Sequence, residues 1–224
     1  MSDDKSVTER SEDFLHLNET PEEIAFELRA QEGALWTGGR LVIGIWTFVF
    51  ASLAFAYFYL RSANNQDLWR PHDITAPTAA GAAIFAITVA CAFLNLYGVR
   101  RFRSGVALDW EVAGWTSVLG TLLAVGLQIW QLTDLPFFPG SSGYASTFIG
   151  YAVINILTIL IVAYWLETTV ARSMRLKKEL AGVSPQLSMH PSAQSFRANV
   201  ASMTYFLGFV ALASTLLFAM FYLL

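Results

Sequence analysis

The sequence predicts an all-α membrane protein, a bundle of five transmembrane helices, and three observations carry that expectation. Five apolar stretches, residues 41–60, 74–99, 112–133, 144–166 and 198–224, each supply the roughly 20 apolar residues a helix needs to cross the hydrocarbon core of a bilayer. Every charged side chain and every histidine lies outside them. Apolar residues make up 55% of the chain and charged residues 14%, against about 25% charged in soluble domains, which leaves little from which to build a soluble domain.

Residues 1–37 read as a tail and residues 38–224 as the transmembrane domain. The first 32 residues carry ten acidic side chains against three basic ones and no early apolar run, which is not the pattern of a secretory signal. Residues 1–17 have the composition of a disordered segment. From Thr20 the pattern sharpens: Thr20-Pro21-Glu22-Glu23 is a capping box with proline at the first helical position. A short amphipathic helix is expected there, with Ile24 and Leu28 on one face. Its acidity repels anionic headgroups, so it rests on a protein surface or stands solvated ahead of the first span.

Each span has its own character. The first holds Trp46 well inside it. The second opens with Ala76, Ala79, Ala80, Gly81, Ala82 and Ala83, small side chains that let helix backbones approach where lipid removes the hydrophobic drive. That favours a tight bundle over a pore. The single cysteine, Cys91, reads as a small packing residue, and one thiol closes neither a disulfide nor a metal cluster. Trp36, Trp69, Trp110, Trp130 and Trp165 fall near span ends, where indoles favour the headgroup region.

Polar side chains at depth are few: Asn95, Gln128, Gln131, Asn155 and Asn199 with several Ser and Thr. Gln128 and Gln131 are three apart, hence on one face near the end of the third span. Bonding between helices is the ordinary work of such amides, and Asn155 is expected to bond a neighbouring helix. A neutral amide passes no proton onward as a carboxylate does. No pattern supports nucleotide binding, nucleophilic catalysis or a metal site, and the net charge of -3 gives no reason to expect nucleic acid as a partner. His16, His72 and His190 are scattered over tail and links, so no haem ligand is offered at membrane depth.

Basic residues set the expected orientation. Arg100, Arg101 and Arg103 crowd the second link, and Arg172, Arg175, Lys177, Lys178 and Arg197 the fourth, whereas residues 134–143 carry none. The positive-inside rule places the N-terminus cytoplasmic and the C-terminus outside.

Three runs together resemble a known family. The first span ends in Tyr57-Phe58-Tyr59-Leu60-Arg61, followed by Trp69-Arg70-Pro71. The third ends in Gln128-Ile129-Trp130-Gln131. The run Gly140-Ser141-Ser142-Gly143-Tyr144-Ala145-Ser146-Thr147-Phe148 then opens the fourth. This order resembles subunit III of haem–copper terminal oxidases (the cytochrome c oxidase subunit III family), best over residues 38–167, with the last span matching by position and length only. Five spans, starting inside and ending outside, agree with many bacterial members.

The departures from the family concern its ionisable residues. The family's glutamate in the first core span falls on Trp46 and a second on Gln131; its histidine pair in the fourth span falls on Asn155 and Thr158. The last span has no match to the family's His–Phe–x–Asp run. The resemblance therefore implies a divergent, non-catalytic subunit in a bacterial plasma membrane. Such a subunit stabilises the catalytic subunit I, and with it subunit II, and binds membrane phospholipid, while haem and copper belong to those partners. An accessory subunit of a nitric oxide reductase or other respiratory supercomplex, or a small transporter, remain alternatives; transporters usually show ionisable residues or broken helices at depth.

Overall fold

The computed structural model describes residues 20–64, 68–71, 74–180 and 191–224, without the side chains of Pro21, Ile24, Ala25, Leu28, Gln31 and Pro191. Within them lie five long helices: α1 Pro21–Ser62, α2 Thr78–Arg103, α3 Ala107–Thr133, α4 Gly143–Glu179 and α5 Pro191–Phe218, the last passing into a π turn, Ala219–Leu223. Each has a stretch long and apolar enough to cross a membrane. The chain is an all-α, multi-pass membrane protein.

The helices outrun the apolar stretches. α1 is one unbroken helix of 42 residues, about 63 Å at 1.5 Å per residue. The expected short helix ahead of the first span is therefore the beginning of that span's own helix. Its start is as read: Thr20 Oγ1 accepts the Glu23 N–H at 3.3 Å and Glu23 Oε2 accepts the Thr20 N–H at 2.7 Å. The expected apolar face of Ile24 and Leu28 lies outside the described residues. α2 begins at Thr78, four residues later than its apolar stretch, because Pro77 stands at the N-cap. α3 begins at Ala107 and so takes Asp109 and Glu111 into the helix, and α4 runs on to Glu179. Charge marks where the hydrocarbon ends, not where the helix does.

In the bundle α4 packs on α1, α3 and α5, while α5 packs on α1, α2 and α4; α2 and α3 form the closest pair. Small residues make that closeness possible. A side chain at Gly98 would collide with Ala113 and Trp110, and one at Gly120 with the Cys91 thiol, so Cys91 is a buried packing residue as expected. Gly114 gives the same clearance to Val170 of α4. In the small-residue opening of α2 only part of the run faces inward: Ala80 and Gly81 are buried and Ala79 and Ala83 exposed.

The two ends of the bundle differ. The basic end gathers Arg100, Arg101 and Arg103 of α2 with Arg172, Arg175, Lys177 and Lys178 of α4. There Arg101 Nε lies 2.7 Å from Asp109 Oδ2. Below that surface sits an aromatic core of Phe102, Trp110 and Phe196. The opposite end, which the π turn closes, carries a second core of Tyr57, Trp69, Tyr144, Phe148, Tyr151 and Phe221. Trp110 is fully buried and Trp69 nearly so, so these two do not anchor in the headgroups as expected; each fills a seam between helices. Trp130 is exposed, at 57%, as a headgroup anchor should be.

Candidate functional site

A cluster of buried polar groups lies at the π-turn end, where α3, α4, the head of α2 and the π turn meet. Four of the polar groups stand in one directed chain of hydrogen bonds. Asn155 Nδ2 of α4 donates to Gln128 Oε1 of α3 at 3.0 Å. Gln128 Nε2 donates to Gln131 Oε1 at 2.7 Å, one turn along α3. Gln131 Nε2 then donates to the Pro77 carbonyl at the head of α2, at 3.0 Å. The Tyr222 hydroxyl of the π turn donates to the same Gln131 Oε1, at 3.0 Å. Gln131 is thus the node, accepting twice and donating once, and both glutamines are fully buried.

The sequence reasons for this geometry are local. Spacing of three puts both glutamines on the inward face of α3. Gly81, one turn into α2, lacks the Cβ that would strike the Tyr222 ring, so the ring can lie against the α2 backbone. The π turn brings Phe221 and Tyr222 inward on adjacent residues: Phe221 is fully buried and stacks on Tyr151 at 4.7 Å, while Tyr222 stacks on Phe218 at 5.2 Å.

A second knot adjoins the first. The buried Tyr144 hydroxyl accepts the Ala76 N–H at 3.2 Å and donates to the Phe221 carbonyl at 3.0 Å, tying the first link and the π turn to α4. The first N–H groups of α4, which no helix can satisfy from within, reach back to that link: Tyr144 N–H to the Trp69 carbonyl at 3.0 Å and Gly143 N–H to the Leu68 carbonyl at 3.3 Å. Trp69 stands edge-on to both Tyr57 and Tyr144. The Arg70 guanidinium lies over the Tyr144 ring, 4.6 Å from its centroid, and Arg61 over Tyr57 at 6.0 Å, geometries in which a cation meets the negative face of an aromatic quadrupole.

The positions singled out from sequence divide. Gln131 and Asn155 join one network through Gln128, and Asn155 bonds a neighbouring helix as expected. Thr158 is fully buried, but its hydroxyl only donates to the Ile154 carbonyl of its own helix, at 2.7 Å. Trp46 stands apart, partly buried on α1, its ring stacked on Phe50 at 6.0 Å and packed against the buried apolar core. At the other end Asn199 accepts from Trp165 Nε1 at 3.0 Å and donates to Thr169 Oγ1 at 3.1 Å, a further α4–α5 tie. Asn95 is the exception among the amides: fully buried, with no protein partner for either side-chain atom.

Two residues escaped the sequence reading. Glu111 is buried, with Ser173 Oγ of α4 donating to it at 3.4 Å; it borders the apolar stretch, and a charge there reads as a boundary. Tyr222 lay in an apolar tail whose π geometry no propensity marks. The histidines lie outside the described residues, and among the described residues no group of three or more His, Cys, Asp or Glu could hold a metal ion. Chemically, the π-turn network is a set of neutral amides and phenols. It can fix helices in register, but at neutral pH it neither takes up nor releases a proton. No protein-family model and no curated protein matches the chain.

Proposed function

We propose that this chain is a non-catalytic, structural subunit of an aerobic respiratory haem–copper oxidase, a divergent counterpart of cytochrome c oxidase subunit III. It is set in a bacterial plasma membrane with its N-terminus cytoplasmic. One observation carries the reading: the runs that bear the resemblance, far apart in sequence, meet in a single buried knot. Tyr57 and Trp69 of the first run pack edge to face at 4.9 Å, Trp69 meets Tyr144 of the third, and Gln131 of the second is tied to the same π turn as Tyr144. Motifs that converge in this way describe a scaffold. Neutral residues at the family's ionisable positions fit that role: Gln131 and Asn155 hold helices together where carboxylate or imidazole would exchange protons. In this reading the chain braces subunits I and II and binds phospholipid along its apolar flanks, and haem and copper belong to the partners.

The test is purification of the tagged chain from its native membrane in mild detergent. Stoichiometric haem and copper in co-purifying subunits, with a colourless chain once those are stripped away, is the expected result. Recovery with partners that hold no haem, or a haem band in the partner-free chain, would overturn the reading.

A further inference from the structure

Asn95 sits on the buried face of α2, one turn from Cys91 and from Gly98, two positions at which α2 and α3 pack closely. Its amide carries two donor hydrogens and an acceptor oxygen, and neither Nδ2 nor Oδ1 meets a protein partner although the residue is 0% exposed. At this depth no lipid group can serve instead, and an unmade amide bond in a hydrocarbon setting is among the most expensive defects a fold can carry.

The neighbourhood supplies the missing contacts at one remove. Ser117 of α3, also fully buried, donates from Oγ to the Cys91 carbonyl at 3.3 Å and to the Ala113 carbonyl at 2.8 Å. The α-helical ladder brings the Asn95 main-chain N–H to that same Cys91 carbonyl. Asn95 and Ser117 therefore meet at one oxygen from opposite sides of the seam. Side chains on a helix lean toward its N-terminus, which carries the Asn95 amide toward Cys91 and Ser117. Ser117 spends its only hydrogen on carbonyls, so its oxygen keeps lone pairs free to accept.

We infer that Asn95 holds an internal water molecule in the α2–α3 seam, shared with the Ser117 hydroxyl. The water accepts from Nδ2 and donates to Ser117 Oγ or Oδ1. It thus finds the two to four polar partners that a buried water requires. The amide and the hydroxyl are then one hydrated node inside the membrane. The inference rests on the seam alone and stands independently of the subunit assignment.

The single cysteine makes the node measurable. Cys91 is one turn from Asn95 on the same face, and its thiol gives one S–H infrared band for the whole chain. The full-length protein in phosphatidylcholine nanodiscs is transferred to heavy water. The wild-type band is expected to move to S–D, and Asn95→Leu, of nearly the same shape, to slow that exchange by roughly tenfold. Asn95→Leu should also melt lower, by roughly 3 °C, because it discards satisfied bonds. Should Asn95→Leu not accumulate, Ser117→Ala removes one partner of the water and is read by the same two measurements with the same expectations. A wild-type thiol that keeps its hydrogen overturns the inference. So does a variant that melts higher, the outcome for an amide that had been dry and unpaired.

Discussion

Replacing Gln131 by leucine removes the node of the π-turn network and tests whether that network holds the bundle together. Three hydrogen bonds disappear. Their cost is unequal. The Pro77 carbonyl keeps the Gly81 N–H at 3.2 Å and is not stranded. The Tyr222 hydroxyl and one hydrogen of the Gln128 amide are left facing apolar side chains, at about 1–2 kcal/mol each, and the third bond adds about 0.6 kcal/mol, typical of an interhelical bond within a membrane. Burial of the leucine returns part of this, so the net loss is about 3 kcal/mol. For a chain of this length that is roughly 9 °C in melting temperature.

Asn155→Leu breaks one bond and leaves only an acceptor, for about 1 kcal/mol. Tyr222→Phe also breaks one bond, and Gln131 Oε1 still accepts from Gln128, so its cost is about 0.6 kcal/mol. Thermal unfolding followed by circular dichroism in one detergent ranks the three. The reasoning is refuted if Gln131→Leu melts within about 1 °C of wild type, or if Asn155→Leu is the more damaging change.

Other perturbations probe other parts of the molecule. Gly81→Val sets a branched side chain against the Tyr222 ring, and overpacking of this kind costs about 1–3 kcal/mol; once the ring is displaced, adding Tyr222→Phe should cost nothing more in the same melt. In a Cys91→Ala background, cysteines placed at Ser104 and Ser141, at opposite ends of the bundle, should react with an impermeant thiol reagent from opposite sides of sealed vesicles, with Ser104 facing the cytoplasm. Labelling of both from one side would contradict the threading of the helices. Thr20 main-chain and hydroxyl donors hold the Glu23 carboxyl below the usual carboxylate range. The capping box is therefore complete above that range and is lost as pH falls through and below it. Protection of the first-turn amides of α1, taken relative to the intrinsic exchange rate at each pH, should fall several-fold in acid and equally in Thr20→Ala at neutral pH; protection that ignores both would remove the cap from the account.

The spans were legible because the bilayer imposes one rule on composition, and stretches such as residues 144–166 obey it without exception. Helix ends were not, since that rule stops at the headgroups while hydrogen bonding does not. Residues 171–179 are, Ser173 apart, good helix formers (Ala, Arg, Met, Leu, Lys and Glu), and α4 runs on through them well past Leu166. Between tail and span stand Gly33, Gly38 and Gly39. The helix passes through them, and Gly39 serves as the clearance for Ser202 of α5.

Of the π-turn knot, the pairing of Gln128 with a neighbouring helix could be read from chemistry, since a buried amide must find a partner. Which carbonyl Gln131 meets, and that Tyr222 shares its oxygen, depends on the register of three helices and on a π turn. No local pattern encodes those. Glu111 shows the reverse: it lies just outside an apolar stretch, where a charge marks only a boundary, and the structure buries it against Ser173.

The hydrogen bond from Tyr222 to Gln131 joins residues 91 positions apart, and this separation has a consequence for synthesis. A ribosome extending the chain at about 5–20 residues per second makes Gln131 some 5–18 s before Tyr222. Throughout that interval α3 is complete and free to insert, yet its node glutamine lacks its second donor and the Tyr144 hydroxyl lacks the Phe221 carbonyl. The nascent bundle therefore waits with its polar centre half tied. The arrival of the π turn completes both bonds and closes that centre.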